Sequence, residues 1–345
     1  MPITVSRKRV IIFISALFIL AGVFFLAVST YYLMTPAQEG NPDQIFFVDD
    51  GSTLRQVADE LEKKELIRIR NLFLVWARFL GHARHIKAGE YRLNPGMSPL
   101  DILETLSNGV IVTHPVTIPE GYSRMQIAEL LAAKGLVGKD EFLALTGDPD
   151  VATHYGIAGP DLEGYLYPDT YQFSRGCSTV SIINVMVRHF RKVTEHFRDH
   201  VKTSGMTLEQ IVILASIVEK ETGRAEERPM IASVFLNRLK KGNRLESDPT
   251  VIYGIKDFDG NLKKKDLIRH SPYNTYVIRG LPPGAIANPG KEAIKAVLFP
   301  ADTSYMYFVS KNDGSHHFSE TLAEHNRAVR IYQKNRRSRQ RAKNL

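Results

Sequence analysis

The longest apolar run in the chain, Val10 to Val28, contains no charged residue and is dominated by Ile, Leu, Phe, Val and Ala. As a helix it would extend about 29 Å, close to the roughly 30 Å hydrocarbon core of a bilayer. Arg7, Lys8 and Arg9 stand directly before it, and no further Lys or Arg occurs until Arg55, whereas Glu39, Asp43, Asp49 and Asp50 fall in between. This asymmetry predicts a single-pass segment with its N-terminus in the cytoplasm and everything beyond about residue 35 outside. Tyr31 and Tyr32 suit the outer interface. Ala27-Val28-Ser29 offers the alternative of a cleaved signal peptide, but the run exceeds the usual 7–15 residue signal core, which favours a retained anchor.

Beyond a polar linker with two prolines (35–44), short periodic segments alternate with turns. Ile45 to Val48 reads as a strand, Asp50-Gly51 as a turn, and Leu54 to Lys64 as a helix whose apolar face carries Leu54, Val57, Ala58 and Leu61. The unit recurs: residues 47–67 and 117–137 align without a gap, matching Gly51 with Gly121, Gln56 with Gln126, Leu61 with Leu131 and Leu66 with Leu136. Two copies make a duplicated supersecondary element rather than a solenoid. Between them lie a strand (Gly89 to Leu93), a Pro-Gly turn at 95–96 and a helix capped by Ser98. Residues 45–113 thus form a small α+β module, whose strand-turn-helix pattern resembles a LysM-type glycan-binding module.

In the second half, Thr207-Leu208-Glu209-Gln210 is a capping-box signature that opens a helix over 207–222, with Gly223 as its stop. From Ile211 to Val218 this helix is apolar on every side except Ser216, which predicts an interior position. A second helix opens at Pro229 and stops at Gly242. Residues 243–290 read as loops rich in Pro, Gly, Asn and Tyr, and Tyr305 to Val309 as a strand. The fold class is α+β with an N-terminal transmembrane helix. Its expected layout is a cytoplasmic tail (1–9), anchor (10–34), linker (35–44), LysM-like module (45–113), larger α+β catalytic domain (114–330) and basic tail (331–345).

With 43% hydrophobic and 24% charged residues the chain has no disordered composition, and 345 residues suit two domains. A formal charge of +8 favours anionic partners without choosing among nucleic acid, acidic lipid and acidic polymer. The outward topology argues against nucleic acid. The one cysteine, Cys177, excludes an internal disulfide and a thiolate-rich metal site.

Glu219 is the most suggestive ionisable residue. It continues the Ile211–Ala215 stripe of a buried helix and lies in the last turn, where desolvation and the helix dipole both disfavour ionisation. A carboxyl group kept protonated near neutral pH suits general-acid chemistry on an ether-like leaving oxygen. The alternative is a buried ion pair with Arg224, Arg228 or Arg238. Glu221 projects about 200° away and cannot share the same pocket. No Gly-x-Ser-x-Gly elbow, His-Glu-x-x-His or P-loop is present, and His316-His317 with His325 lack recognised metal spacing. No cofactor or metal is expected.

Ser216-Ile-Val-Glu-Lys-Glu-Thr222 resembles the active-site segment of the MltG (YceG-like) family of endolytic murein transglycosylases. The resemblance continues through Glu163 to Tyr171, Val234 to Leu239, Ser247 to Gly254, Ser271 to Tyr276, Gly280 to Gly284 and His316 to Asn326. One departure is Glu246, where many relatives have Gln. The resemblance implies a lyase that cuts the MurNAc–GlcNAc bond within glycan strands and leaves 1,6-anhydroMurNAc ends, terminating nascent strands. It puts the catalytic acid at Glu219. Glu221, Asn237, Asp248, Tyr273, Asn274, Tyr276 and Asn288 are the expected substrate contacts. Implied partners are peptidoglycan strands, the inner membrane and peptidoglycan synthases, with the catalytic domain in the periplasm. A water-using muramidase and a non-catalytic glycan-binding scaffold are the rival readings.

Overall fold

In the computed structural model, residues 7–38 and 42–334 are described. Residues 1–6 of the expected cytoplasmic tail, 39–41 of the linker and 335–345 of the basic tail lie outside them. The first helix, α1 (Arg7–Met34), contains a 24-residue stretch, Ile11–Met34, long and apolar enough to cross a membrane. Its side chains from Ile11 to Val28 are exposed, which for so apolar a helix calls for a non-aqueous surrounding.

The chain divides into two units, Met1–His114 with Gln172–Ser178, and Pro115–Tyr171 with Thr179–Leu345. In the first, β1 (Gln44–Val48) and β2 (Gly89–Leu93) pair antiparallel, Phe46 opposite Tyr91. Three helices cover the pair: α2 (Leu54–Lys63), α3 (Arg70–Phe79) and α4 (Pro99–Asn108). Phe46, Leu61, Phe73, Tyr91, Leu93, Ile102 and Leu106 close their core, and Tyr91 donates its hydroxyl to the Lys87 carbonyl, so the buried ring leaves no polar atom unpaired.

The division falls within the strands β3 (His114–Thr117) and β4 (Thr170–Phe173), which pair with each other. Between them come α5 (Arg124–Ala133), α6 (Lys139–Thr146) and α7 (Pro149–His154). Next are α8 (Thr179–Glu195), α9 (Arg198–Thr203), α10 (Leu208–Glu221) and α11 (Arg228–Lys240). Short helices α12 (Asp248–Tyr253) and α13 (Lys264–Leu267) lead to α14 (Lys291–Leu298). The hairpin β5 (Tyr307–Ser310)–β6 (His316–Ser319) and α15 (Leu322–Val329) follow. The long helix α8 has no counterpart among the elements expected from sequence, although Ile182, Ile183, Met186, Val187 and Phe190 recur at helical spacing and are buried.

The duplicated element is present in both units. Thr53 with Gln56 and Ser123 with Gln126 form matching capping boxes, each worth about 1 kcal/mol to its helix. Gly51 (φ 80°) and Gly121 (φ 74°) occupy the left-handed turn before each box. Leu66 and Leu136 close both exits by bonding back to the carbonyls of Leu61 and Leu131.

Helix α10 is the axis of the second unit: Ile211 through Val218 are all buried, and it packs against α11, α12 and α14. Two readings from the sequence shift. The segment 243–290 contains α12 and α13, with Pro249 in a first helical turn where its missing N–H costs nothing. The strand expected at 305–309 is registered at 307–310, because Asn237 takes the Tyr305 carbonyl (3.0 Å) and Arg238 takes that of Met306 (2.7 Å).

Gly164 (φ 92°) shows how tightly α10 is enclosed: a Cβ there would meet Val212 Cγ1 and Ala285 Cβ, each at 2.7 Å. Gly164→Ala is therefore expected to destabilise by about 3 kcal/mol, combining backbone strain with overpacking. Gly205→Ala, at a similar φ of 72° but in open space, should cost only about 1 kcal/mol. Urea unfolding of both variants checks the difference, and equal losses would mean the enclosure is slack.

Candidate active site

The last two turns of α10 carry polar groups in three directions. Ser216, the exception in the apolar stretch, donates to the Ile213 carbonyl (2.7 Å) and accepts the Ile286 N–H (3.0 Å), which fastens the 284–288 loop to the helix. Glu219 follows on one side. Its carboxylate accepts Arg228 Nη2 at 2.7 Å on one oxygen and the Gly290 N–H at 3.0 Å on the other. The Glu219 side chain is 5% exposed and that of Arg228 10%, so this is a buried ion pair, with Glu120 as a more exposed second acceptor at 3.3 Å. Burial raises the Glu219 pKa, while the Gly290 amide and Arg228 act against that rise. Of the arginines the sequence offers as partners, Arg228 is the one engaged.

Glu221 faces elsewhere, as the 100° helical step requires. Its carboxyl group lies deep in the fold but opens onto a cleft of about 450 Å³. It accepts the Ser247 hydroxyl, and no cation contacts it among the described residues. Burial first, and the Asp248 carboxylate second, push its pKa up to about 7 against the Ser247 hydrogen bond. Asp248 accepts the Tyr276 hydroxyl at 2.6 Å, and both residues line the same cleft.

The opposite wall is built on Arg238. Its guanidinium donates to the carbonyls of Met306, Arg244 and Leu245 and to the Glu246 carboxylate (2.9 Å), and stacks 5.0 Å from the Tyr307 ring. Glu246 adopts φ 55°, a left-handed conformation that a side chain other than glycine rarely takes, held here by that ion pair. His316 and His325 complete the lining. His316 Nδ1 lies 2.7 Å from Glu227, and His325 stacks on Tyr307.

A second, larger cleft of about 910 Å³ is lined by Arg124, Lys139, Lys220, Tyr253 and Lys256. At its base Glu163 is 1% exposed and accepts the Arg124 N–H (2.9 Å), Asn288 Nδ2 (2.8 Å) and the Tyr253 hydroxyl (3.1 Å). Burial, aided by Asp161, pushes its pKa up to about 8 despite those donors.

Of the residues singled out in the sequence, Glu221, Asp248 and Tyr276 are thus brought together. Three asparagines are spent on bonds within the fold. Asn237 holds the Thr303 and Tyr305 carbonyls, Asn274 those of Asp266, Leu267 and Arg269, and Asn288 is wholly buried among Tyr122, Glu163, Gly164 and Leu166. Tyr273 packs against Tyr253, ring centroids 4.9 Å apart. Glu163 and Ser247 carry the site's framework without having been assigned a role from sequence, and Arg238, offered there as a partner of Glu219, instead builds the opposite wall. Glu163 lies in one of the segments that carry the family resemblance, but only its tertiary partners disclose what it does.

The sequence profile of the YceG-like family matches residues 46–331. An endolytic murein transglycosylase of Bacillus subtilis is 33% identical over 332 residues, covering 91% of each chain. One from Streptococcus pneumoniae is 28% identical over 316 residues, covering 82% of this chain and 57% of its own length. The crystal structure of a YceG-like protein from Listeria monocytogenes, 34% identical, superposes with a TM-score of 0.58, covering 84% of this chain and 100% of that one. The match runs from β1 past the last α-helix and includes the residues that line the Glu221 cleft except Gln333, so the chain belongs to the YceG-like family.

Proposed function

We propose that this protein is an endolytic murein transglycosylase whose general acid is Glu221 rather than Glu219. Function at the level of the family is supported by its relatives, named endolytic murein transglycosylases. The observation that carries the choice of acid is the contrast between the two carboxyl groups. Glu219 is committed on both oxygens to Arg228 and the Gly290 amide, an arrangement suited to holding a helix end and its neighbouring loop. Glu221 is buried beside a carboxylate, meets no cation among the described residues and opens onto a cleft where a substrate oxygen can reach it. Burial raises the pKa of both groups, that of Glu221 to about 7, as a group that must give and then retake a proton requires.

In this reading the protonated Glu221 gives its proton to the oxygen bridging MurNAc and GlcNAc as that bond breaks. Positive charge develops at C1 of MurNAc beside the Asp248 carboxylate, which lowers its energy in the partly desolvated cleft, whereas Glu246 is already neutralised by Arg238. The Glu221 carboxylate then takes the proton of the same sugar's 6-hydroxyl as that oxygen closes on C1, giving the 1,6-anhydro ring. An internal nucleophile held in place removes the need for a second catalytic residue. The Asp248 carboxylate in the same cleft also favours a second reading, in which it activates water as in a muramidase.

The wider layout belongs to the same proposal. α1 anchors the chain in the inner membrane with its N-terminus in the cytoplasm. Residues 45–113 act as a LysM-like module that holds glycan, supported by the strand-turn-helix unit of β1 and α2. Residues 114–330 form the periplasmic catalytic domain, which acts on peptidoglycan beside the synthases that make it.

Glu221→Gln should stay folded and lose about 10²–10⁴ in cleavage rate. Glu219→Gln leaves Arg228 with only the more exposed Glu120 as a charge partner and should show chiefly as lost stability, about 3 kcal/mol. A folded, inactive Glu219→Gln beside an active Glu221→Gln would return the acid to Glu219. The raised Glu221 pKa also fixes a sign. Between pH 4.5 and 7 the folded state binds more protons at this group than the unfolded state, so its contribution to stability falls as pH rises. Relative to Glu221→Gln, the native protein should lose up to about 3 kcal/mol across that window and no more above it. Cleavage, which needs the acid form, should decline as pH passes about 7.

Digestion of peptidoglycan in heavy-oxygen water separates the two reactions. The transglycosylase yields anhydroMurNAc ends free of label, and labelled reducing ends would establish water as the nucleophile.

A further inference from the structure

Helix α3 is apolar on two faces, and the core accounts for only one of them. Phe73, Leu74 and Ala77 point inward. Leu72, Val75, Trp76 and Phe79 fall at spacings of three and four residues and form a second stripe, with Phe79 79% and Val75 56% exposed. Ile69 and Leu80 extend it at both ends, and the exposed Arg68 and Arg78 flank it. An unburied apolar stripe on a ten-residue helix is costly in water and marks a surface made to meet something apolar.

The end of α1 identifies what that is. Ser29, Leu33 and Ala37, at steps of four, are buried against the module, whereas α1 is exposed from Ile11 through Val28. The junction is fixed by polar contacts as well. Arg68 Nε donates to the Ala37 carbonyl at 2.8 Å, its guanidinium lies 5.9 Å from the Tyr32 ring, and Gln38 donates to Glu65 at 2.9 Å. Leu72 and Trp76 share a crevice with Tyr32 and Leu33 of α1, so the exposed stripe of α3 continues from the point where α1 leaves its lipid-exposed length.

We propose that α3 lies in the outer interface of the bilayer that α1 spans, with Val75, Trp76 and Phe79 among the upper acyl chains and Arg68 and Arg78 at the phosphates. The composition is that of an interfacial helix: an aromatic and aliphatic face, arginine flanks and a tryptophan where apolar and wet regions meet. Attachment at a second point would hold the first unit flat on the membrane and fix the height at which it meets newly made glycan. The proposal rests on the reading of α1 as a membrane-spanning helix.

Trp76 is the only tryptophan in the chain, so its fluorescence reports on α3 alone. The full chain is reconstituted into phosphatidylcholine vesicles, with retention checked by flotation after alkaline extraction. Lipids brominated high on the acyl chain should quench Trp76 strongly, acrylamide should quench it weakly, and the pair Val75→Ser with Phe79→Ser should reverse both. If the chain floats but acrylamide reaches Trp76 freely, the anchor reading stands and the proposal fails. Lipid quenching unchanged in the double variant would assign the shielding to α1 alone and overturn it too. So would acrylamide protection without lipid quenching that disappears on dilution among lipids, which would mean a second copy covers the stripe. A chain that does not float removes both the anchor and the proposal.

Discussion

Asn288 has no exposed surface and uses every hydrogen-bonding position it possesses. Its carbonyl oxygen accepts the N–H groups of Gly164 (2.9 Å) and Leu166 (2.8 Å), and its amide donates to the Tyr122 carbonyl (2.9 Å) and to Glu163 (2.8 Å). Glu163 in turn reaches Arg124 and Tyr253. Segments far apart in the chain are thereby fixed around α10 by one buried polar cluster. In a low-dielectric interior such a cluster is worth having only when complete, because each unmade bond costs about 1–3 kcal/mol. This completeness lets the loops that wall the clefts, none of which belongs to a large sheet, hold a defined geometry.

The same enclosure decides what the end of α10 meets. A helix buried on every side along Ile211–Val218 must end somewhere, and here its last turn emerges between two clefts and an ion pair. Successive residues at 100° steps then deliver Glu219 to Arg228, Lys220 to the Gly121 carbonyl and Glu221 to Ser247. Burial raises the pKa of both carboxyl groups on this short segment, but their partners differ. A cation and an amide compensate the first, whereas a hydroxyl and a neighbouring carboxylate leave the second poised to keep its proton.

Much of the architecture followed from local chemistry that needs no distant partner. The apolar length of α1, the capping boxes at Thr53, Ser98, Ser123 and Thr207 and the left-handed glycines before two of them are all written within a few residues. The repeat of 47–67 in 117–137 was visible for the same reason, since each copy is closed by its own turn, cap and exit bond. The burial of α10 was legible as well, because a helix apolar on all faces has no stable place in water.

Sequence determined that this chain has an apolar N-terminal helix, α+β elements and a buried helix ending in Glu219, Lys220 and Glu221. It also determined that these two glutamates face apart. It did not determine which partners each of them meets, because Arg228, Gly290, Ser247 and Asp248 are brought up by packing and not by spacing. Nor did it separate Asn288 and Asn274, which look like saccharide ligands, from the backbone clamps they form. Helical periodicity fixes where a side chain points, whereas its ionisation and availability depend on the dielectric and the partners it meets there, and only the tertiary structure supplies those.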